Sequence, residues 1–568
     1  MSLLTQASLL VTPNAYKEGK LYSIIPSNGN GDFTATRATT ATRVNAAGLI
    51  DLVPYNLFAW SEVFSDALWS KGSSSITSNT TTAPNGTLTA DTFTADGTLA
   101  NHRLQQGLTT VTGTAYSTSF YLKKNTNNFA QIYYLAAGFT SNAFANFDLN
   151  NGVVGTIGAG TTATIQDVGN GWYRCTITVT AGSSSASAGA NVSIVTSATS
   201  ARSESNSLNT SIFVWGAQLV EGTSARDYLR TETRLNIPRI DYSLGVCPNI
   251  LLEPQRTNFG IQSEDLSSAA WFKGTGVTIT ADSAISPSGI QNADRVIGAI
   301  GTGTWGSANT LGSATSSLSS NTLYTATIYL RSSSSSSQVT LRLRDQTTGN
   351  ETTLLCNLTT SWQRFEISRT TGASTTALAV VLTNATADFF AWGRQMEQGA
   401  YATSYIPTTT ASVTRNADSI TRNNIFTNGL ITAAGGTWFV EIRNNVARVR
   451  DLGVFSLFIG DLLASPNNGL ILRNTISTST RLSISKRISA TETTLYTTLN
   501  DTVKIAMKWN GATADVFVNG VKQVSATAFT TTNMEFLNCF ATDVPKYINQ
   551  MALFPTPLTD TQCIALTT

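Results

Sequence analysis

Hydrophobic and polar positions along the chain fall into short stretches that alternate with period two. In YSTSFYLKK, from Tyr116, the residues Tyr116, Thr118 and Phe120 share one face, and in YTATIYLRS, from Tyr324, Tyr324, Ala326 and Ile328 do the same. Successive side chains of a strand point to opposite faces, so each stretch predicts a strand with one face turned to a core. CTITVTA from Cys175 and VTLRLRD from Val339 obey the same rule. Turns rich in Gly, Ser and Asn separate these stretches, and no convincing run of helical periodicity lies between them. The expected fold class is all-β, a multidomain chain of antiparallel sandwiches.

The pattern is written twice. NLFAWSEVFSDALWSKG from Asn56 and NFGIQSEDLSSAAWFKG from Asn258 hold Ser61/Ser263, Glu62/Glu264, Trp69/Trp271, Lys71/Lys273 and Gly72/Gly274 at one offset of 202 residues. TAPNGTLTADTF from Thr82 answers ISPSGIQNADRV from Ile285, and GWYRCTITVTA from Gly171 answers SWQRFEISRTT from Ser361. Both copies close alike, FVWGAQLVEGTSARDY from Phe213 and FAWGRQMEQGAYATSY from Phe390. The offset drifts to 208 and back to 177, as loop insertions between retained strands would produce. Residues 56–230 and 258–410 are thus expected to be two copies of one β-sandwich, with 231–257 and 411–433 as linkers.

From residue 434 to 568 the strands GTWFVEIRNN, LGVFSLFIG, GLILRNT, RLSISKR and TTLYTTL precede VKIAMKWNGATADVFVNGVKQVSA. Asn510-Gly511 and Asn519-Gly520 predict turns there, since both residue types tolerate positive φ. With its W-N-G…V-N-G run and PLTD near the end, this region resembles the laminin-G/concanavalin A-like lectin superfamily. The resemblance implies a jelly roll, with glycan binding common in the family.

Two flanking stretches carry a second resemblance. DFTATRATTATRVNAAGLIDLVP from Asp32 and PRIDYSLGVCPNILLEPQRTN from Pro238 together resemble a segment of tailed-bacteriophage virion proteins. In those proteins it leads into a carbohydrate-binding-module-like domain of the phage head spike fibre type. Here the segment is split, with the first copy inserted after GLIDLVP. The resemblance implies two carbohydrate-binding-module-like jelly rolls in a head or tail fibre, made in the host cytoplasm and carried on the exterior of the virion. Implied partners are a phage capsid or tail protein, a bacterial surface glycan for host adhesion, and further copies of the chain, a trimer by likeness to phage fibres. Residues 1–55, rich in Thr and Gly with little core-forming pattern, are expected to be exposed and to attach the fibre to the virion. Purely structural capsid decoration and a polysaccharide-degrading tail spike are the alternatives.

Composition narrows the chemistry. Charged residues are 12% of the chain and the net charge is +2, so no basic face is available to neutralise a phosphate backbone, and nucleic acid is not an expected partner. No stretch reaches the 18 or more apolar residues of a membrane helix, and MSLLTQASLLVTPNAYKEGK lacks the basic start of an export signal. No membrane insertion and no Sec export are expected. The five cysteines, Cys175, Cys247, Cys356, Cys539 and Cys563, are scattered and odd in number, which predicts reduced, mostly buried thiols.

The one histidine, His102, has no second histidine for a metal site and no G-x-S-x-G element for a triad, and is expected to be an exposed or locally bonded loop residue. Glu62/Glu264 and Asp91/Asp294 recur in both copies; accepting backbone hydrogen bonds in turns is the plain reading, and structural calcium the sharper alternative. No other cofactor and no enzymatic turnover are expected. The shared tryptophans Trp69/Trp271, Trp172/Trp362 and Trp215/Trp392 are expected in the cores. A sugar-stacking ring must be exposed and flat, so the unshared Tyr133, Tyr134 and Trp305 are the carbohydrate-binding candidates.

Overall fold

The computed structural model describes residues 3–300, 310–335, 337–383, 385–443, 457–463, 466–475, 481–498, 502–529, 534–540 and 546–568. The chain forms two compact units, one of Pro54–Arg234 with Gly289–Asn292, the other of Met1–Val53, Leu235–Ser288 and Ala293–Thr568. Both are β-sandwich structures, and the single α-helix among the described residues is Asp560–Thr567. Thr559 and Gln562 cap that helix reciprocally.

The first unit is copy 1. One sheet runs, in hydrogen-bonded order, Val153–Ile157, Phe144–Asp148, Phe129–Tyr134, Ser185–Ile194, Arg103–Thr110 and Ser70–Gly72. The other runs Thr161–Asp167, Tyr173–Thr180, Ala115–Lys124, Ser211–Glu221, Ala90–Ala95 and Ser74–Thr81. Tyr116, Phe120 and Leu122 point into the core with Trp69, Phe58 and Phe64 around them, as the alternation requires.

Copy 2, in the other unit, repeats this order: Phe272–Lys273, Leu311–Thr315, Leu378–Thr383, Ser337–Asp345 and Glu351–Leu358 in one sheet. Val277–Ile285, Gln291–Ile300, Ala385–Gln398, Leu323–Ser332 and Gln363–Thr370 form the other. What copy 1 adds is the edge pair Val153–Ile157 and Thr161–Asp167. That pair accounts for part of the fall in offset between the repeats.

The rest of the second unit departs from the expected boundaries. Segment 1–55 is not an exposed arm, and 231–257 and 411–433 are not linkers. Leu9–Val11 pairs with Lys546–Phe554 in the register Leu9↔Leu553, Leu10↔Ala552, Val11↔Met551. Arg239–Asp241 and Asn249–Leu252 extend that same sheet, which continues through Gly436–Arg443, Thr502–Trp509, Thr513–Val518 and Val521–Ala528. In the facing sheet Ser419–Asn423 lies between Phe33–Thr36 and Phe536–Phe540. Leu9, Leu21, Phe33, Ile250 and Ile420 share one core with Trp438, Trp509 and Leu553. The third sandwich is therefore composite, stitched from three separated pieces of chain. Its N-terminal strands are too short to show a period, and their partners lie hundreds of residues away, so local pattern carries no trace of them. The turn at Asn519-Gly520 has φ of 47° and 80°, the positive pair a two-residue hairpin favours.

A buried ion network ties these pieces together and gives a physical role to TATRATT, PRID, LLEPQ and TRNAD. Arg37 Nη1 lies 2.7 Å from Asp418 Oδ1, and Arg239 reaches the other Asp418 oxygen. Arg239 Nη1 is 2.7 Å and Arg415 Nη1 2.8 Å from Glu253 Oε2. The backbone N–H of Glu253 donates to Asp418 Oδ2 at 2.9 Å. All five side chains are at most 2–5% exposed. Burial alone would raise the Glu253 carboxyl, but Arg415 and Arg239 hold it down at about 2. Asp418 is likewise held below the usual carboxylate range, against burial, by Arg239, Arg37 and Arg415.

Candidate functional site

Both copies end in a strap that leaves the long strand carrying W-G-x-Q and crosses the outer face of its sheet. Gly216 and Gly393 sit at positive φ, 59° and 67°, where the pairing register shifts. A Cβ at either would come within 2.8 Å of Tyr121 or 3.0 Å of Tyr329, so the bulge and the ring above it need glycine. In copy 1 Arg174 donates to Arg226 O at 2.6 Å and Gln218 to Asp227 O at 3.1 Å. In copy 2 Arg364 donates to Thr403 O at 2.8 Å and Gln395 to Ser404 O at 3.4 Å.

The strap tyrosine completes the lock. Tyr228 packs on Trp215 at 4.9 Å and Tyr405 on Trp392 at 4.5 Å between ring centroids. Tyr228 OH donates to Glu62 Oε1 at 3.1 Å, and Tyr405 OH to Glu264 Oε1 at 3.0 Å. Burial first, and the neighbouring carboxylate second, push both phenols well above their ordinary value, so they remain donors. Behind each strap a fully buried amide bridges backbone groups. Asn56 donates to Ala217 O and Leu229 O and accepts from Phe58 N and Leu219 N at 2.9–3.1 Å. Asn258 does the same with Arg394 O, Ile406 O, Gly260 N and Met396 N at 2.8–3.3 Å. The motif written twice is thus a strap lock. Its outward-facing members, Arg174/Arg364 and Gln218/Gln395, stand off-phase to the core positions; that alternation was the signal by which they could have been found.

In copy 2 a second wall faces the strap. The hairpin Ala41–Val44 and Ile50–Val53 lies against it, with Ile50 N donating to Pro287 O at 2.9 Å. Between hairpin, strap and composite sandwich lies a cavity of about 260 Å³. Tyr329 and Tyr547, both half-buried, supply rings, with the buried Tyr401 and Tyr405 behind them; Arg43, Arg364, Asp241 and Glu253 supply charge; Thr42, Thr403, Ser404 and Ser243 supply hydroxyls. Arg43 is committed to Asp51 at 3.2 Å and Tyr16 OH at 3.0 Å. Asp241 accepts from Val44 N at 2.7 Å and Ser243 N at 2.9 Å, and Glu253 from Ser404 N at 2.8 Å. Arg364 Nε is buried without an acceptor. Rings with donors and acceptors at their edges make this an amphipathic cavity of small-molecule size.

The residues expected to stack on sugar are elsewhere. Tyr134 is fully buried, stacked on Phe139 at 4.2 Å, with its hydroxyl bonded to Thr118 and Tyr116 O. Tyr133 is 3% exposed, its hydroxyl donating to Asn101 at 2.7 Å and its ring lying 5.2 Å from the Arg202 guanidinium. Neither offers the exposed face that the expectation required. Phe129–Tyr134 is an inner strand flanked by neighbours on both sides, and coverage from above cannot be read from alternation. Trp305 lies outside the described residues.

The repeated acids are engaged by protein donors. Asp91 accepts from Asn79 N at 2.9 Å, and Asp294 from Asp282 N at 3.0 Å and Leu266 N at 2.6 Å. Asn79 and Asp282 have positive φ, so these carboxylates pin a bulged strand, as the turn reading expects. Burial pushes Asp294 up to about 6. Among the described residues no three His, Cys, Asp or Glu side chains gather as for a metal ion. His102 is not exposed; its ring nitrogens face Ser73 O at 2.6 Å and Asn206 O at 3.0 Å in the interior. The five cysteines are free, four buried and Cys247 exposed. Of the shared tryptophans, Trp362 alone is half-buried, with Arg331 lying 5.2 Å from its ring.

No protein-family model matches the chain, and no curated protein matches it. Among solved structures it is similar to the CBM22-1–CBM22-2 tandem of Paenibacillus barcinonensis Xyn10C, at 9% identity over 58% of this chain and 93% of that one, TM-score 0.19. It is similar also to domain 4 of AbnA, an arabinanase of Geobacillus stearothermophilus seen with arabinotriose, at 14% identity over 30% and 82%, TM-score 0.21. A third is the CBM22-1 xylan-binding domain of the same Xyn10C, at 15% identity over 25% and 92%, TM-score 0.19. At these TM-scores the likenesses are too slight to transfer a fold or a ligand.

Proposed function

We propose that this chain is a non-enzymatic adhesion protein of a bacteriophage virion, a head or tail fibre that binds glycans on the host surface. The observation that carries the reading is the cavity beside the strap of copy 2, lined by the half-buried rings of Tyr329 and Tyr547, paired charges and hydroxyls. Sugars present apolar C–H faces and a rim of hydroxyls, and such a lining answers both. The virion part of the reading rests on the phage-like segments, whose charged residues hold the composite sandwich together. Several sandwiches on one chain, multiplied by self-association, would raise avidity for a repetitive surface by about 10² to 10⁴.

The test is a glycan array and a cell-pelleting assay with the purified protein. Saturable binding to defined glycans supports the reading. No binding to any glycan or host cell at micromolar protein would leave structural decoration of the particle in its place. Reducing ends released from capsule or lipopolysaccharide in proportion to protein would favour a depolymerase.

A further inference from the structure

We infer that the cavity beside the copy 2 strap takes one terminal residue of an uncharged glycan, end-on. The inference rests on the glycan-binding reading and gives it a ligand class. Size comes first: about 260 Å³ is just below the usual range of roughly 300–1,000 Å³ for small-molecule pockets, which suits a single sugar ring rather than a stretch of chain.

Enclosure comes second. An interior residue of a polysaccharide must leave by two sides. Here Val44 and Ile50 of the hairpin, the Asp241–Ser243 turn, Tyr547 and the Tyr401–Tyr405 strap stand round the space. Tyr329 and Tyr547, both half-buried, present rings to it.

Charge comes third. The lining holds two guanidinium groups and two carboxylates, so it carries no net charge to attract an anion. Arg43 is already paired with Asp51, and Glu253 is held ionised by Arg239 and Arg415. An acidic sugar would bring a further negative charge beside Asp241 and Glu253. A neutral sugar instead finds the remaining lone pair of Glu253 Oε1 for a hydroxyl proton.

Isothermal titration of the full-length protein with methyl hexosides, with linear neutral oligosaccharides ending in the same hexose, and with methyl glucuronide reads this directly. The expected result is an affinity for one methyl hexoside that changes by less than about threefold on going to the tetrasaccharide, and at least about tenfold weaker binding of the uronide. Ser243→Trp, at an exposed position on the mouth, and Tyr329→Leu, which removes a ring, should each weaken binding by about tenfold or more, while Thr164→Trp on copy 1 should not. Affinity rising about tenfold with chain length overturns end-on capture, and a uronide bound as tightly as the hexoside overturns the neutral class. Binding that survives both cavity variants overturns the location and leaves the adhesion reading intact; absence of binding to every saccharide and to host cells removes both.

Discussion

Replacing Glu253 by Gln is the sharpest probe of the composite sandwich. Glu253 is 2% exposed and faces Arg239 at 2.7 Å and Arg415 at 2.8 Å, so the substitution takes the carboxylate from buried Arg415 and leaves Arg239 with Asp418 alone. Two routes give the size of the loss. Removing one partner of a buried ion pair costs about 3–5 kcal/mol. The fall of the Glu253 carboxyl from its ordinary 4.5 to about 2 corresponds to roughly 3 kcal/mol of native-state stabilisation at neutral pH. Because the folded value is the lower one, this contribution is present above about pH 4.5 and drains away as pH falls towards 2. Hydrogen exchange read peptide by peptide suits a chain with several cooperative units. At pH 7 the variant should speed exchange about a hundredfold in Asn249–Leu252, Ser419–Asn423 and Gly436–Arg443, and leave copy 1 as it was. The acid-induced loosening of those strands between pH 4.5 and 2 should shrink in the variant. Unchanged exchange in these strands at pH 7, or equal acceleration in copy 1, would refute the reasoning.

Two further outcomes follow from the topology and from the strap lock. Deleting residues 1–53 should unfold the composite sandwich, since it removes Leu9, Leu21 and Phe33 from the core and Arg37 from Asp418, whereas 54–234 expressed alone should fold, giving cooperative melting and a β-type circular dichroism spectrum. Asn56→Ala and Asn258→Ala should each destabilise their own copy by about 2–4 kcal/mol in denaturant titrations, because each strands several buried backbone groups that the amide satisfies.

Much of the architecture was legible from local pattern. Alternation at Tyr116–Thr118–Phe120 and its counterpart placed the inward faces, and the repeated W-G-x-Q and Y endings marked matching elements in both copies. Trp69 and Trp271, each 1% exposed, lie in the cores where the repeat put them. The candidate site was far less legible. Tyr133 and Tyr134 are unshared, but exposure is set by what folds over a strand: Tyr134 points into the core, and Arg202 and Asn101 cover Tyr133 on the outer face. His102 lies just outside a strand, as read, but its burial was illegible because the two carbonyls that enclose it come from Ser73 and Asn206, far from it along the chain.

By itself the sequence determined the β class and the duplication, because strand period and repeat register are properties of neighbouring residues. Tertiary structure alone decided that the first 53 residues and both expected linkers supply strands to the last sandwich, and that a cavity exists at all. Sheet pairing is non-local. Leu10 meets Ala552, and Arg37 meets Asp418, only after the intervening domains have been looped out, and no rule of spacing couples residues so far apart.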